Sequence, residues 1–170
     1  MWLTLILAVM AACGMELWAR VVHRRLWHGP LWFIHASHHA EDGRVLEWND
    51  LFVIAHMPPG VLLIVLGLSL EGILASAALG LGLGVSAFGV GYALVHDGFV
   101  HQRLPLGVLR RSRYLRRVRA AHLAHHHSVH GPPYGLFLGW RELQTARRRA
   151  PNLHTSSLNA EHQSTADAPA

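Results

Sequence analysis

Two stretches decide the fold of this 170-residue chain: His35-Ala36-Ser37-His38-His39 and His122-Leu123-Ala124-His125-His126. Both have the spacing HxxHH, and each follows a pair of histidines separated by four residues. The order HxxxxH then HxxHH therefore occurs twice, on either side of a long apolar segment. The repeat takes in ten of the fifteen histidines: His23, His28, His35, His38, His39, His96, His101, His122, His125 and His126.

The spacing of these histidine boxes predicts a metal site. On an α-helix, residues i, i+3 and i+4 share a face, so the three imidazoles of each HxxHH box are expected to converge. Five residues turn an α-helix by about 500°, which places the two histidines of HxxxxH about 140° apart. The two histidines can then bind different metals, or the second can lie beyond the end of the helix. One metal takes about four to six ligands, so ten imidazoles indicate two metals.

A single HxxHH box is as often a group of surface histidines as a metal site. Four boxes in a repeated order are not explained in that way.

Cys13 is the only cysteine, which excludes an internal disulfide and a cysteine-based metal site. All fifteen basic residues are arginines. Because they lie beside apolar segments, we attribute them to retention on the cytoplasmic side of a membrane and expect no nucleic-acid partner.

The apolar segments predict an all-α membrane protein with about three transmembrane helices. Each is long enough to cross a bilayer: Met1–Ala19, Leu51–Leu70 and Ile73–Val95. Pro58 and Pro59 predict a kink in the second span because they remove backbone donors. Gly80 and Gly84 have GxxxG spacing, which indicates close helix packing within the subunit.

The arginine distribution predicts the topology. No arginine precedes the first span or lies in the turn at Glu71, so the N-terminus and this turn should face outward. The histidine boxes then all lie on the cytoplasmic side.

Residues 1–149 are expected to form the membrane domain, and residues 150–170 a disordered polar tail. The arginines at 110–119 suit anionic lipid headgroups, with an acidic redox partner as the alternative.

Several polar residues near the boxes are candidate functional residues. Asp97, Asn49 and Asp50 could accept hydrogen bonds from ligand imidazoles and so orient them, although each could instead be a helix cap or an interfacial residue. Glu16 is ionisable within a span, which favours a functional role, or else a local pair with Arg20.

The remaining histidines fall outside the boxes. His56 lies within a span and is interpreted as a packing residue. His127 and His130 follow the last box and could contact the ligand histidines, whereas His154 and His162 lie in the polar tail.

Ligand type alone does not choose among iron, copper and zinc, because neutral imidazole binds all three. A histidine-rich metal pair at a membrane surface faces substrates dissolved in lipid, whose unactivated C–H bonds require oxidation with O₂. Zinc has no redox chemistry, which indirectly favours a redox-active metal such as iron.

The chain resembles the non-haem β-carotene 3-hydroxylase family, within the fatty acid hydroxylase/sterol desaturase superfamily. The histidine boxes indicate only the superfamily, whereas His96-Asp97-Gly98-Phe99-Val100-His101 and Pro133-Tyr134-Gly135-Leu136-Phe137-Leu138-Gly139 narrow it. The other matching stretches are Gly14–Arg20 and Glu47–Asp50.

This resemblance implies a membrane di-iron monooxygenase with the ten box histidines as iron ligands. It further implies use of O₂ and of electrons from a ferredoxin-type donor to hydroxylate C3 of β-ionone rings, taking β-carotene through β-cryptoxanthin to zeaxanthin. Family members are often drawn with four crossings, whereas residues 134–143 are too short for a fourth here. The absence of a plastid transit peptide indicates a bacterial-type chain in a cytoplasmic membrane.

Two alternatives stay open from the sequence. The same boxes would serve a fatty acyl or sterol hydroxylase or desaturase. A metal transporter or metal-binding protein is disfavoured, because a transporter places its ligands near the bilayer midplane, whereas these histidines lie at the ends of the spans.

Overall fold

The structure is a computed structural model, which describes residues 1–40, 47–128 and 131–149. Within these ranges all regular secondary structure is helical, as predicted, and the expected polar tail at 150–170 lies outside the described residues. A 3₁₀ turn occupies Gly107–Arg111. The helices are α1 (Trp2–Val22), α2 (Trp32–His39), α3 (Asp50–Ser69), α4 (Gly72–Ala93), α5 (Arg113–His127) and α6 (139–149).

Three of the described helices are long and apolar enough to cross a membrane, which confirms the predicted number. They are Trp2–Trp27, Asp50–Ser69 and Gly72–Val100, each including any π-helical extension. Large apolar side chains on their outer faces, such as Leu5, Ile54 and Ile73, are more than half exposed. A lipid environment would cover these surfaces, since exposed apolar area of this extent is unusual in water.

The first and third spans both end in π-helical turns, at His23–Trp27 and Leu94–Val100. Here the backbone N–H of His28 bonds to the His23 carbonyl at 3.0 Å, and that of His101 bonds to the His96 carbonyl at 3.0 Å. A π turn joins residues i and i+5, so each HxxxxH pair spans one turn and shares a face. The separation of about 140° expected for an α-helix was therefore wrong.

Helix α4 packs against both other spans through glycines, as its GxxxG spacing predicted. Gly80 and Gly84 lie against α1, where a Cβ on Gly84 would collide with the carbonyl of Ala8. Gly82 faces α3, and a Cβ there would lie 2.7 Å from the backbone nitrogen of Ile64. Because α4 contacts both α1 and α3, it fixes where their ends lie.

The turn between α3 and α4 is short, as predicted, and Gly72 begins α4 with a φ of +67°, a conformation that favours glycine. Pro58 and Pro59 lie inside α3, which continues through both. Helix α5 begins at Arg113, and Ser112 Oγ just before it accepts a hydrogen bond from the backbone N–H of Leu115 at 3.3 Å.

We expect Gly84→Ala to destabilise the fold by about 1–3 kcal/mol, because the new Cβ must push α1 and α4 apart. The measurement is the thermal unfolding midpoint of the purified protein in detergent micelles. Gly14→Ala is the matched control, since a Cβ on Gly14 in α1 meets nothing within 4 Å. Equal midpoints for the two variants would contradict the glycine-mediated packing.

Candidate metal centre

The ten box histidines lie in two adjacent clusters at the ends of α1 and α4. Five of them form site 1, in which one nitrogen of each ring lies within 4.8 Å of all the others: His23, His28, His35, His39 and His125. Four others meet the same criterion in site 2: His38, His96, His101 and His122. His126 is grouped with site 2, because its Nε2 lies 3.0 Å from the Nε2 of His122.

Each site takes the two outer histidines of its own HxxHH box and the middle histidine of the other box. Successive residues of an α-helix are about 100° apart, so on α2 the ring of His35 lies about 40° from His39, whereas His38 lies about 100° from His39. Helix α2 therefore lies between the sites and contributes to both. The expected convergence of all three histidines of a box is replaced by this exchange of His38 and His125.

The two sites touch each other. The rings of His39 and His126 stack with their centroids 4.4 Å apart and an interplanar angle of 17°. These residues belong to α2 and α5, so one ring pair connects both helices and both sites.

Burial favours the neutral form of three box imidazoles, those of His35, His101 and His126. His35 is 2% exposed and His125 is fully buried. Burial lowers the pKa of His35 to about 2, that of His101 to about 3 and that of His126 to about 2. A neutral ring has one nitrogen with a free lone pair, which is the form that binds a metal.

Hydrogen bonds at Nδ1 decide which ring nitrogen carries that lone pair. Three imidazoles of site 1 donate to neutral oxygens: His23 to the Tyr134 carbonyl at 2.8 Å, His35 to Asn49 Oδ1 at 2.7 Å, and His125 to the Gly131 carbonyl at 2.8 Å. Two imidazoles of site 2 donate to carboxylates: His38 to Glu47 Oε2 at 2.9 Å and His96 to Asp97 Oδ1 at 2.9 Å.

The lone pairs fixed in this way point at one another. The Nε2 atoms of His23 and His35 lie 3.0 Å apart, and those of His38 and His96 lie 3.1 Å apart. When its Nδ1 carries the proton donated to an oxygen, a neutral ring has no hydrogen on Nε2 to share. Two lone pairs at this distance repel each other, and a metal cation between them turns the repulsion into coordination.

The donor set fits iron. Neutral imidazole suits iron, and each cluster offers nitrogen ligands without thiolates. Among the described residues, the buried Nε2 of His101 has no hydrogen-bond partner, as expected for an atom reserved for a metal.

Two of the three predicted orienting residues contact ligand histidines: Asp97 and Asn49. Asp50 does not. Its Oδ1 accepts from Arg103 at 2.9 Å, and its Oδ2 accepts from the backbone N–H of Glu47 at 2.9 Å. Arg103 also lies 2.6 Å from Glu47 Oε1 and 3.8 Å from Asp97 Oδ1, so it ties the three carboxylates together.

Sequence reasoning missed Glu47, Arg103 and the two carbonyls. The role of Glu47 could have been suspected from the sequence, since it lies in the same acidic stretch as Asp50. The carbonyl acceptors of Gly131 and Tyr134 have none, because every residue carries a carbonyl.

Glu16 holds the loop that supplies those carbonyls. It is 7% exposed, and its Oε1 accepts from the backbone N–H of Leu138 at 2.8 Å. The alternative pair with Arg20 is not formed, because Arg20 lies 3.2 Å from Glu142 in α6. Glu142 in turn accepts from the backbone N–H of Tyr134 at 3.1 Å.

The histidines outside the boxes have other positions. His56 donates from Nδ1 to the Phe52 carbonyl of its own helix at 2.7 Å. His127 is exposed on α5 and bonds to the Leu123 carbonyl at 2.6 Å. His130 lies outside the described residues.

An apolar cavity of about 340 Å³ lies between α1, α3 and α4. Trp27 and Phe52 line it and stack on each other with centroids 4.4 Å apart. Trp27 also lies 5.5 Å from the His35 ring, and Tyr92, another lining residue, stacks on the His96 ring at 4.8 Å. The cavity wall therefore contacts both sites.

The fold combines three helices that could cross a membrane with two histidine clusters that could hold metal ions. The sequence profile of the fatty acid hydroxylase family matches residues 8–143, and the chain belongs to that family. No solved structure matches it.

Among curated proteins, the chain is similar to the chloroplastic beta-carotene hydroxylase 1 of Capsicum annuum, with 46% identity over 85% of this chain and 46% of that protein. It is 46% identical to beta-carotene 3-hydroxylase 1 of Arabidopsis thaliana, over 83% of this chain and 46% of that protein. A beta-carotene hydroxylase from a Paracoccus species is 37% identical over 79% of this chain and 81% of its own length. The chain thus spans about half the length of the plant relatives.

We expect His125→Ala to reduce the metal content of the purified protein from about two ions per chain to about one, because site 1 loses the ligand contributed by α5. The measurement is elemental analysis after chelator-free purification. His127→Ala is the control on the same helix and should retain both ions. Full metal content in His125→Ala would exclude this residue as a ligand.

Proposed function

We propose that the protein hydroxylates C3 of β-ionone rings, converting β-carotene through β-cryptoxanthin to zeaxanthin. The observation that carries this proposal is the convergence of two sets of imidazoles beside an apolar cavity among the membrane helices. The similarity to beta-carotene hydroxylases over more than four fifths of the chain supports the choice of substrate.

The ten box histidines would hold two iron ions, five imidazoles to each. Iron bound there would supply the O₂ chemistry: one oxygen atom enters the C–H bond, and the other leaves as water with two protons and two electrons. A ferredoxin-type donor supplies the electrons. Asp97 and Asn49 fix the tautomers of His96 and His35, and Glu47 does the same for His38. Asp50 acts through Arg103, which holds the neighbouring carboxylates.

The cavity would bind the end of the substrate that reacts. Its volume lies at the lower end of the range for ligand pockets, about 300–1,000 Å³, so it suits one ring and part of a chain rather than a whole carotenoid. The rest of the substrate stays in the bilayer. Trp27 and Phe52 exclude water from the wall next to site 1, and Tyr92 does so next to site 2.

The proposed location is the cytoplasmic membrane, with both metal sites on the cytoplasmic side. This orientation places all the arginines on the cytoplasmic side and gives a soluble electron donor access to the sites. The hydroxylase domain would comprise residues 1–149, with residues 150–170 as a polar tail.

Expression of the chain in cells that accumulate β-carotene should yield β-cryptoxanthin and zeaxanthin, detected by pigment chromatography. In the same assay we expect Gly89→Leu to lower conversion at least about tenfold, because the leucine side chain would fill the substrate cavity. A Cβ on Gly89 meets nothing within 4 Å, so the substitution does not strain the helix.

Gly14→Leu is the matched control, because Gly14 has equally open surroundings but does not line the cavity. It should leave conversion unchanged. Unchanged pigments with the wild-type chain, despite two bound metal ions, would redirect the search to fatty acyl or sterol substrates. Normal conversion by Gly89→Leu would exclude this cavity as the binding site.

Reporter fusions test the orientation. A reporter after Arg44 and one at the C-terminus should both read cytoplasmic, whereas one at Glu71 should read external, because one span separates Glu71 from each of the other two positions. An external C-terminus would contradict the proposed orientation.

A further inference from the structure

One peptide group connects a histidine of site 1 to a carboxylate outside both clusters. The carbonyl of Tyr134 accepts the Nδ1 hydrogen bond of His23 at 2.8 Å. The nitrogen of the same peptide belongs to Gly135, and its N–H donates to Glu142 Oε2 at 3.3 Å. The N–H of Tyr134 donates to the same oxygen at 3.1 Å. Because the C=O and N–H of a trans peptide point in opposite directions, the peptide lies between the imidazole and the carboxylate.

The carboxylate of Glu142 is held close to this peptide. Its side chain is 11% exposed, and Arg20 Nε lies 3.2 Å from the same Oε2. Gly135 is buried, and a Cβ on it would lie only 2.9 Å from Glu16 Oε1, so a glycine here lets the peptide pack directly against α1. Glu16 in turn accepts from the backbone N–H of Leu138 at 2.8 Å. Side chains of both α1 and α6 therefore fix the position of the peptide.

A carboxylate in this position acts on the imidazole of His23 through the peptide. A hydrogen bond to an anion is stronger than one between neutral groups, and hydrogen bonds in a chain polarise one another. An N–H that donates to a carboxylate shifts electron density toward the carbonyl oxygen of its own peptide. That oxygen becomes a better acceptor for the Nδ1 proton, and the opposite ring nitrogen, Nε2, becomes a stronger base. This Nε2 lies within site 1, 3.0 Å from Nε2 of His35.

We propose that Glu142 is a positioning residue of site 1, which strengthens metal binding by His23 through the Tyr134–Gly135 peptide. This inference rests on the proposed two-metal function. The alternative is that Glu142 only fastens the loop at 131–138, with Arg20 as its partner in a structural ion pair. The two roles have different requirements: the first needs the negative charge of the carboxylate, whereas the second needs only the contacts.

The test is a titration of the full chain, metal-free and in detergent micelles, with Co²⁺ against a competing chelator. The absorption of bound Co²⁺ is the readout, and His23→Ala identifies the site 1 binding event by weakening it. Glu142→Gln keeps an oxygen that can accept from both N–H groups but removes the charge. It should weaken the site 1 event about three- to tenfold, which is less than a directly bonded partner contributes, because the effect passes through a peptide. The unfolding midpoint of the metal-free chain should not change.

Arg20→Gln is the matched control, because it breaks the same ion pair but leaves the carboxylate against the peptide. This variant should bind Co²⁺ at least as tightly as the wild-type chain. In a chain that already carries His23→Ala, Glu142→Gln should cause no further loss of Co²⁺ affinity, since the residue through which it acts is gone.

Wild-type Co²⁺ affinity in Glu142→Gln would overturn the inference and leave the proposed function standing. Equal losses in Glu142→Gln and Arg20→Gln would also overturn it, because the ion pair alone would then explain the effect. Additive losses in the double variant would show that Glu142 does not act through His23. Unchanged Co²⁺ binding in His23→Ala would instead contradict the proposed metal site itself.

Discussion

The repulsion between imidazole lone pairs is the constraint on which this structure depends. Nitrogens without protons are held about 3 Å apart in a water-poor cluster, an arrangement that is unfavourable until a cation joins them. Much of the chain serves to keep them there. Helix α4 packs against α1 and α3 through glycines, which sets the span ends side by side. The Nδ1 hydrogen bonds then aim each ring inward, and Arg103 fixes the carboxylates behind site 2.

Much of this arrangement could be predicted from the sequence. The repeated boxes indicated two metals, and the length of the apolar segments predicted three spans. Both features can be read from short, continuous stretches of the chain. The π turns at His23 and His96 were missed, since an extra residue in a helical turn is favoured by the contacts it permits rather than by local propensity. The exchange of His38 and His125 agrees with the angles between residues of an α-helix. Those angles predict the exchange only when the helix is already known to lie between two sites.

Tertiary contacts also overrode a local pattern in α1. Glu16 and Arg20 have the spacing of a helical ion pair, yet each binds the C-terminal segment instead: Glu16 the Leu138 amide, and Arg20 the Glu142 carboxylate. A pair on one exposed helix face contributes little free energy, whereas a buried carboxylate needs a donor. The loop at 131–138 is thereby fastened to α1, and its carbonyls can orient His23 and His125.

The exchange of the middle histidines makes each cluster depend on both halves of the chain. The first half of the chain carries four ligands of site 1 and lacks His125, while site 2 depends on His38 from that first half. Neither metal environment exists in full until the third span has inserted and α5 has packed beside α2. Either cluster is thus complete only late in assembly, in chains whose helices have already packed.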